Sequence, residues 1–126
     1  MTNHPELKFD IQAGCLVVIA TGRYVIERKE VAIKAIAAAA NEVSAKAVLV
    51  DLRDLAQPYS FMDRYQLGEM VGRHLAFLPV AALTLESGAD PGRIGKLVAN
   101  NRGAKVEVFT HEGSAYAWLK KYQTAE

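Results

Sequence analysis

An α/β fold built on a mostly parallel sheet is what this 126-residue sequence predicts, and three observations carry that reading. Apolar runs of strand length alternate with segments whose apolar residues recur every three or four positions, so the period switches repeatedly between strand and helix. The run "AVLVDL" at 47–52 is almost continuously apolar, the mark of a central strand covered on both faces. No linker rich in Gly, Pro or Ser divides the chain, and a single domain spanning 1–126 is expected.

The elements follow in order. Leu7, Phe9 and Ile11 alternate with polar neighbours, and "QAGC" supplies a glycine turn into "CLVVIATG". That pattern predicts a hairpin whose first strand is half-exposed and antiparallel to the second. Val31, Ala35, Ile36, Ala39, Ala40 and Val43 then keep helical spacing, with Glu27 and Glu30 suited to the positive end of the helix dipole. The "AAAA" at 37–40 favours helix and lets it sit close to a sheet. After the strand at 47–52, a short linker containing Pro58 leads to a helix with Leu67, Met70, Val71, His74 and Leu75 on one face.

"LPVAALTLE" reads as the next strand. Asp90-Pro91 then predicts a helix start, a carboxylate cap followed by proline at the first helical position. Ile94, Leu97 and Val98 form that helix's expected inner stripe, and Gly103 is placed to stop it. "KVEVF" alternates as an edge strand does, and Thr110 can cap a last helix in which Tyr116, Trp118 and Leu119 pack inward. The predicted order is β-β-α-β-α-β-α-β-α, with right-handed crossovers between the parallel strands and one antiparallel strand from the N-terminal hairpin.

Composition narrows the function classes. Fifteen Lys and Arg against fourteen Asp and Glu leave a net charge of +1, so no global field favours nucleic acid or an anionic membrane. Hydrophobic residues at 51% and charged residues at 23% fit a soluble core rather than a disordered chain. The single Cys15 excludes an internal disulfide and a thiolate metal cluster, and within "CLVVIA" it reads as a small buried hydrophobe. "MTNHPELKFD" has no apolar signal core. The longest apolar stretch, Leu75 to Leu85, has 11 residues including Pro79, where a bilayer span needs about 20. Membrane insertion is therefore not expected, and cytoplasm is the expected location.

The element order together with "VLVDLRDL…FMDRYQLGEM" resembles the STAS superfamily, specifically the SpoIIAA-like proteins also called STAS/SEC14-like. In anti-sigma-factor antagonists of that family the third strand reads "vvlDLs" and leads to "mDSSGLG". Here "VLVDLRDL" is similar to the strand, "MDRYQLGEM" at 62–70 shares Met-Asp and Leu-Gly, and "VEVFTHEGSAYAWL" resembles the strand-then-helix ending. The resemblance implies a non-enzymatic regulatory domain that docks a protein partner. It also implies where the sequence departs. Aligned on Met62-Asp63, the family's phosphorylatable serine positions hold Arg64 and Tyr65, and Gln66 stands for the following glycine. Arginine accepts no phosphate and tyrosine is no substrate of a serine kinase, so the serine switch does not carry over.

Ser60 is the remaining phosphate candidate. Ser60-x-x-Asp63 is a capping-box-like start, and a plain N-cap is its commoner meaning. A phosphate there would add about −1.5 to −2 charge at the positive end of the helix, with Arg64 one turn away.

Other constellations fall short of a chemistry. "DPGRIGKL" at 90–97 puts Gly-Lys in register with a P-loop, but Asp90 replaces the first glycine and Leu97 the magnesium-binding hydroxyl. His4, His74 and His111 are scattered without ligand spacing, so no metal is expected. Asp51, Asp54 and Asp63 can be drawn as acid–base pairs, yet Asp51-Leu-Arg53-Asp54 reads equally as a solvated strand exit, and no G-x-S-x-G elbow accompanies them. No catalytic residue and no cofactor are assigned.

The expected working surface runs from Arg53 through Tyr59, Ser60, Phe61, Asp63, Arg64 and Tyr65, with neighbouring turns at Asp90 and His111. Aromatic side chains there would anchor an unidentified protein partner, and Arg53 and Arg64 would steer an acidic one. The alternative is a carrier or sensor of a small apolar ligand or lipid, which needs a cavity of roughly 300 Å³ or more. The small residues Ala35, Ala39, Gly68 and Gly72 either make that room or bring helices close, and close packing is the expectation. A homodimer is expected only if all helices cover one face of the sheet and leave the other bare.

Overall fold

The computed structural model describes residues 6–23, 29–56 and 60–123. Five strands, β1 (Glu6–Gln12), β2 (Cys15–Arg23), β3 (Ala47–Ala56), β4 (Pro79–Leu83) and β5 (Lys105–Phe109), alternate with four helices after the opening hairpin. The helices are α1 (Lys29–Glu42), α2 (Phe61–His74), α3 (Glu86–Asn101) and α4 (Glu112–Gln123). The sheet order is β1-β2-β3-β4-β5, with β1 antiparallel to β2 and every other pair parallel. The expected fold class and element order hold, and β5 is an edge strand as its alternation implies.

The hairpin turns in two residues, Ala13 and Gly14, at φ 51° and 84°, between paired Gln12 and Cys15. Two positive φ values in a two-residue loop match the right-handed twist of the flanking strands.

Side-chain alternation along the strands divides the core into two layers. Leu16, Val18, Val48 and Val80 point to one face, where they meet Ile33, Ile36 and Ala40 of α1 and the Leu67–Leu75 side of α2. Cys15, Val17, Ala47, Leu49 and Ala81 point to the other, where Ala115 and Leu119 of α4 cover them. Both faces of β2 and β3 are thus dry, which is why these strands read as unbroken apolar runs. With α4 on the second face, the condition attached to a homodimer is not met.

Four local expectations are corrected. In α1 the buried residues are Ile33, Ile36 and Ala40, whereas Val31 and Val43 are exposed. Alanines on every side of this helix blur its stripe, and the isoleucines, which bury more apolar area, decide the orientation. Helix α3 begins at Glu86 rather than Asp90, and runs on through Pro91. Leu85 holds the cap position in extended conformation without a side-chain cap, so packing against α2 overrides the local start signal. Leu97 faces solvent while Val98 and Ala99 are buried. The first α4 bond runs from the Ala115 N–H to the His111 carbonyl, which puts His111, not Thr110, at the N-cap.

Both α1 and α3 stop in Schellman geometry. Ala45 and Ser44 N–H donate to the Ala40 and Asn41 carbonyls, and Ala104 and Gly103 N–H donate to those of Ala99 and Asn100. Gly103 occupies the left-handed position at φ 92°, as expected; at the end of α1 Ser44 takes it at φ 54°.

Candidate functional site at the helix starts

Each parallel strand hands the chain to a helix at its carboxyl end, so the starts of α1, α2 and α3 collect along one edge of the sheet. Open α/β sheets bind their ligands there. At α2 the cap is reciprocal: Ser60 Oγ accepts the Asp63 N–H at 3.1 Å, and Asp63 Oδ2 accepts the Ser60 N–H at 3.0 Å. This capping box fixes the first turn and turns Phe61 and Met62 outward, 63% and 55% exposed. The start of α3 presents Leu85, 55% exposed. These three exposed apolar side chains, at two helix starts on one edge of the sheet, make the candidate apolar ridge. Tyr59 lies outside the described residues, as do the side chains of Asp90 and Pro91.

The two helices behind this ridge are held by contact too close for larger residues. A Cβ on Gly68 would lie 2.5 Å from the Gly95 carbonyl oxygen and 2.8 Å from Val98 Cβ. One on Gly72 would lie 2.7 Å from Arg102 Cβ. Arg102 then donates to Glu69 Oε2 at 3.2 Å and lies over the Tyr65 ring, 5.8 Å from its centroid. Tyr65 is half-buried in this clamp, so its ring serves the α2–α3 seam. The small residues Gly68 and Gly72 do bring helices close, as expected.

Arg53 belongs to a different group. Its Nε and Nη2 donate to Asp51 at 3.0 and 2.8 Å, and its Nη2 stands 3.6 Å from Glu112 at the start of α4. The strand pairing shifts register between Ile19 and Thr21, opposite this stretch of β3, and the Arg53 N–H is taken by Asp51 Oδ1 at 3.0 Å. Asp51 is buried, not a solvated strand exit. Burial pushes its carboxyl up, but the Arg53 side chain and N–H outweigh that and hold it below the usual range. Burial, then the Glu112 and Asp51 charges, push the neighbouring Tyr116 phenol up. The structure therefore separates the three aspartates: Asp51 is locked to Arg53, Asp63 is a cap, and Asp54 is exposed. They form no acid–base pair.

Of the histidines, His74 is half-buried and its Nε2 lies 3.0 Å from Glu30 Oε2, joining α2 to α1, while Arg73 approaches the same carboxylate at 3.7 Å. That hydrogen bond to His74 lowers the Glu30 carboxyl. His111 is exposed, and His4 lies outside the described residues. Among the described residues no group of three His, Cys, Asp or Glu is placed to hold a metal ion. No helix there is long and apolar enough to cross a membrane.

Behind the helix starts, between α1, α2, α3 and the sheet, lies a cavity of about 190 Å³. Leu7, Ile33, Leu52, Leu67 and Val71 contribute to a wall that is almost wholly apolar, and Lys29, Arg64 and Thr84 also line it. It is smaller than the volume set for a lipid carrier.

No protein-family model and no curated protein sequence matches the chain. Solved structures do. An anti-sigma factor antagonist from Mycobacterium paratuberculosis superposes over 93% of this chain and 95% of its own, with a TM-score of 0.65 and 12% identity. An uncharacterised protein with a SpoIIAA-like fold from Shewanella loihica superposes over 94% and 98%, with a TM-score of 0.57 and 17% identity. The chain has the STAS, or SpoIIAA-like, fold. Within that fold, sequence reasoning located Ser60, Phe61, Asp63 and Arg64 on one turn of α2, but missed Leu85 and Thr84. Both sat inside an apolar run that reads as strand; their exposure and burial depend on where β4 ends.

Proposed function

We propose that the chain is a non-enzymatic cytoplasmic regulatory domain that docks a protein partner through the apolar ridge of Phe61, Met62 and Leu85. The observation that carries this reading is the exposure of all three at helix starts along the carboxyl edge of the sheet, where open α/β sheets bind ligands. Large apolar groups held outward by a rigid cap are suited to interface cores, because little conformational entropy is lost when they are covered. Arg64, in the first turn of α2, steers an acidic partner toward the ridge. The likeness to an anti-sigma factor antagonist, a protein named for acting on another protein, supports the same class of function.

No serine switch is part of this proposal. Ser60 Oγ is committed to its cap, and a phosphate there would stand beside the Asp63 carboxylate as well as the helix end, so repulsion opposes the helix-dipole gain. Phe61→Asp tests the docking surface. Because Phe61 is 63% exposed, the variant is expected to unfold at the wild-type urea midpoint. Loss of a central aromatic anchor should weaken the partner by about thirtyfold or more. Wild-type partner affinity in the folded variant would remove the ridge from consideration.

A further inference from the structure

The sheet has two edges, β1 and β5, and side chains close the second of them. On β5 Asn100 takes both backbone groups of Val106, accepting its N–H at 2.8 Å and donating to its carbonyl at 3.2 Å, and Glu107 Oε1 accepts the Val108 N–H at 3.3 Å. Groups so occupied offer little to a further strand. On β1 the turn sets the pattern. A two-residue loop closes on a bonded pair, Gln12 and Cys15, and bonded and unbonded pairs alternate back from it. Leu7, Phe9 and Ile11 therefore direct their N–H and C=O groups away from β2, toward an edge that no described strand covers. The Ile11 N–H agrees: Asp10 Oδ1 takes it at 2.9 Å, in an exposed bond to the next residue along the chain. Side chains divide in the same way. Leu7, Phe9 and Ile11 share the face of their pairing partners Ala20, Val18 and Leu16, with Phe9 44% and Ile11 54% exposed. Lys8 and Asp10 lie exposed on the other face.

We infer that β1 is a self-recognition edge, on which a second copy of this chain adds its own β1 antiparallel about a two-fold axis at Phe9. Phe9 is the midpoint of Glu6–Gln12, so this register pairs the whole strand. The outward N–H and C=O groups of Phe9 bond those of the partner's Phe9, and those of Leu7 bond those of the partner's Ile11. On one face Phe9 meets the partner's Phe9 and Leu7 meets the partner's Ile11, which covers the exposed apolar groups. On the other face Lys8 stands opposite the partner's Asp10, and the two-fold axis repeats that ion pair. Asp10 exchanges its bond to Ile11 for the lysine, while Ile11 gains a strand carbonyl. Charge selects this register. Centring the pair on Lys8 would set lysine against lysine and Glu6 against the partner's Asp10. Centring it on Asp10 would set two carboxylates face to face, and like charges directly opposite oppose pairing. Helices cover both faces of the central strands, so a second copy meets the sheet at its edge and not on a face. The ridge of Phe61, Met62 and Leu85 lies at the starts of α2 and α3 and takes no part, and either proposal stands without the other.

Sedimentation velocity and amide exchange of the full chain test it. A strand-edge interface lies at the small end of the range, so the wild type is expected to pass from monomer to dimer with a Kd of about 100 µM or tighter. At about ten times Kd, roughly a fifth of the chains remain single, and exchange of the Leu7, Phe9 and Ile11 N–H groups should slow about fivefold. The Lys8 and Asp10 N–H groups, already bonded to β2, should stay unchanged. Lys8→Asp and Asp10→Lys each place like charges opposite one another twice, and each should weaken the dimer about tenfold or more. Mixing the two variants restores opposite charges at both places, so a heterodimer of wild-type affinity is expected, as is a homodimer of the Lys8→Asp, Asp10→Lys double variant. A wild type that dimerises more weakly than this, a dimer in which those three N–H groups exchange as in the monomer, or a mixture of folded variants no tighter than either alone would each overturn the proposal. The wild-type measurements decide it even where a variant fails to fold.

Discussion

Asp51 shows at the scale of one residue how a buried carboxylate is kept charged. Its side chain is 12% exposed, and it takes two bonds from the Arg53 guanidinium and one from the Arg53 N–H. The folded state therefore binds a proton at Asp51 less readily than the unfolded chain does. By linkage its stabilisation is full above the unfolded value near pH ~3.9 and is lost as pH falls through the lower folded value. Asp51→Asn should cost about 1–3 kcal/mol at pH 7, the usual loss when a buried charged hydrogen-bond partner is removed. Urea denaturation of both proteins at successively lower pH should show the gap closing in acid; a gap that persists or widens would mean the Arg53 bonds do not hold the charge. Sequence made half of this visible. Residues two apart on a strand share a face, which sets Asp51 beside Arg53, yet the stretch read as a solvated strand exit, because the burial of Asp51 depends on α4, which returns from far along the chain to cover it.

Elements were legible as types and less so as surfaces. All five strands and four helices occur in the order that periodicity implies, because two-residue and 3.6-residue repeats are local properties of the chain. The inward face of α1, the place of Leu97 and the start of α3 were misjudged: in α1 the isoleucines outweigh alanines that lie on every side, and in α3 packing against α2 overrides the local signal. The α2–α3 seam gives the sharpest case. Gly68 reads as a weak point in a helix, yet it is the contact that seats α2 against the Gly95 backbone. Alanine would favour the helix itself by up to ~1 kcal/mol, but its methyl has no space against a carbonyl oxygen that cannot swing aside. Gly68→Ala is therefore expected to destabilise by about 1–3 kcal/mol net, measured as a lower urea midpoint. A midpoint equal to or above the wild type would show that the seam relaxes at little cost.

Across the whole molecule, fold and function part company. Three layers follow from one arithmetic: helices α1, α2 and α3 on one face, the sheet, and α4 on the other, with strand alternation supplying a core to each side. That much is written in the hydrophobic pattern. The candidate site is written only in part, since capping residues at 60 and 63 announce the turn that turns Phe61 and Met62 outward. The matching exposure of Leu85 and the cavity beside Thr84 arise from how helices of ordinary sequence come to rest on the sheet, and no local pattern records a volume.

The docking ridge is tested most directly by native mass spectrometry of the protein isolated from its own cells, wild type beside a Phe61→Asp, Leu85→Asp double variant. The wild type is predicted to carry a protein partner at defined stoichiometry, and the folded double variant to lose it. A partner retained by the double variant, or a wild type that travels without any protein partner, would contradict the account.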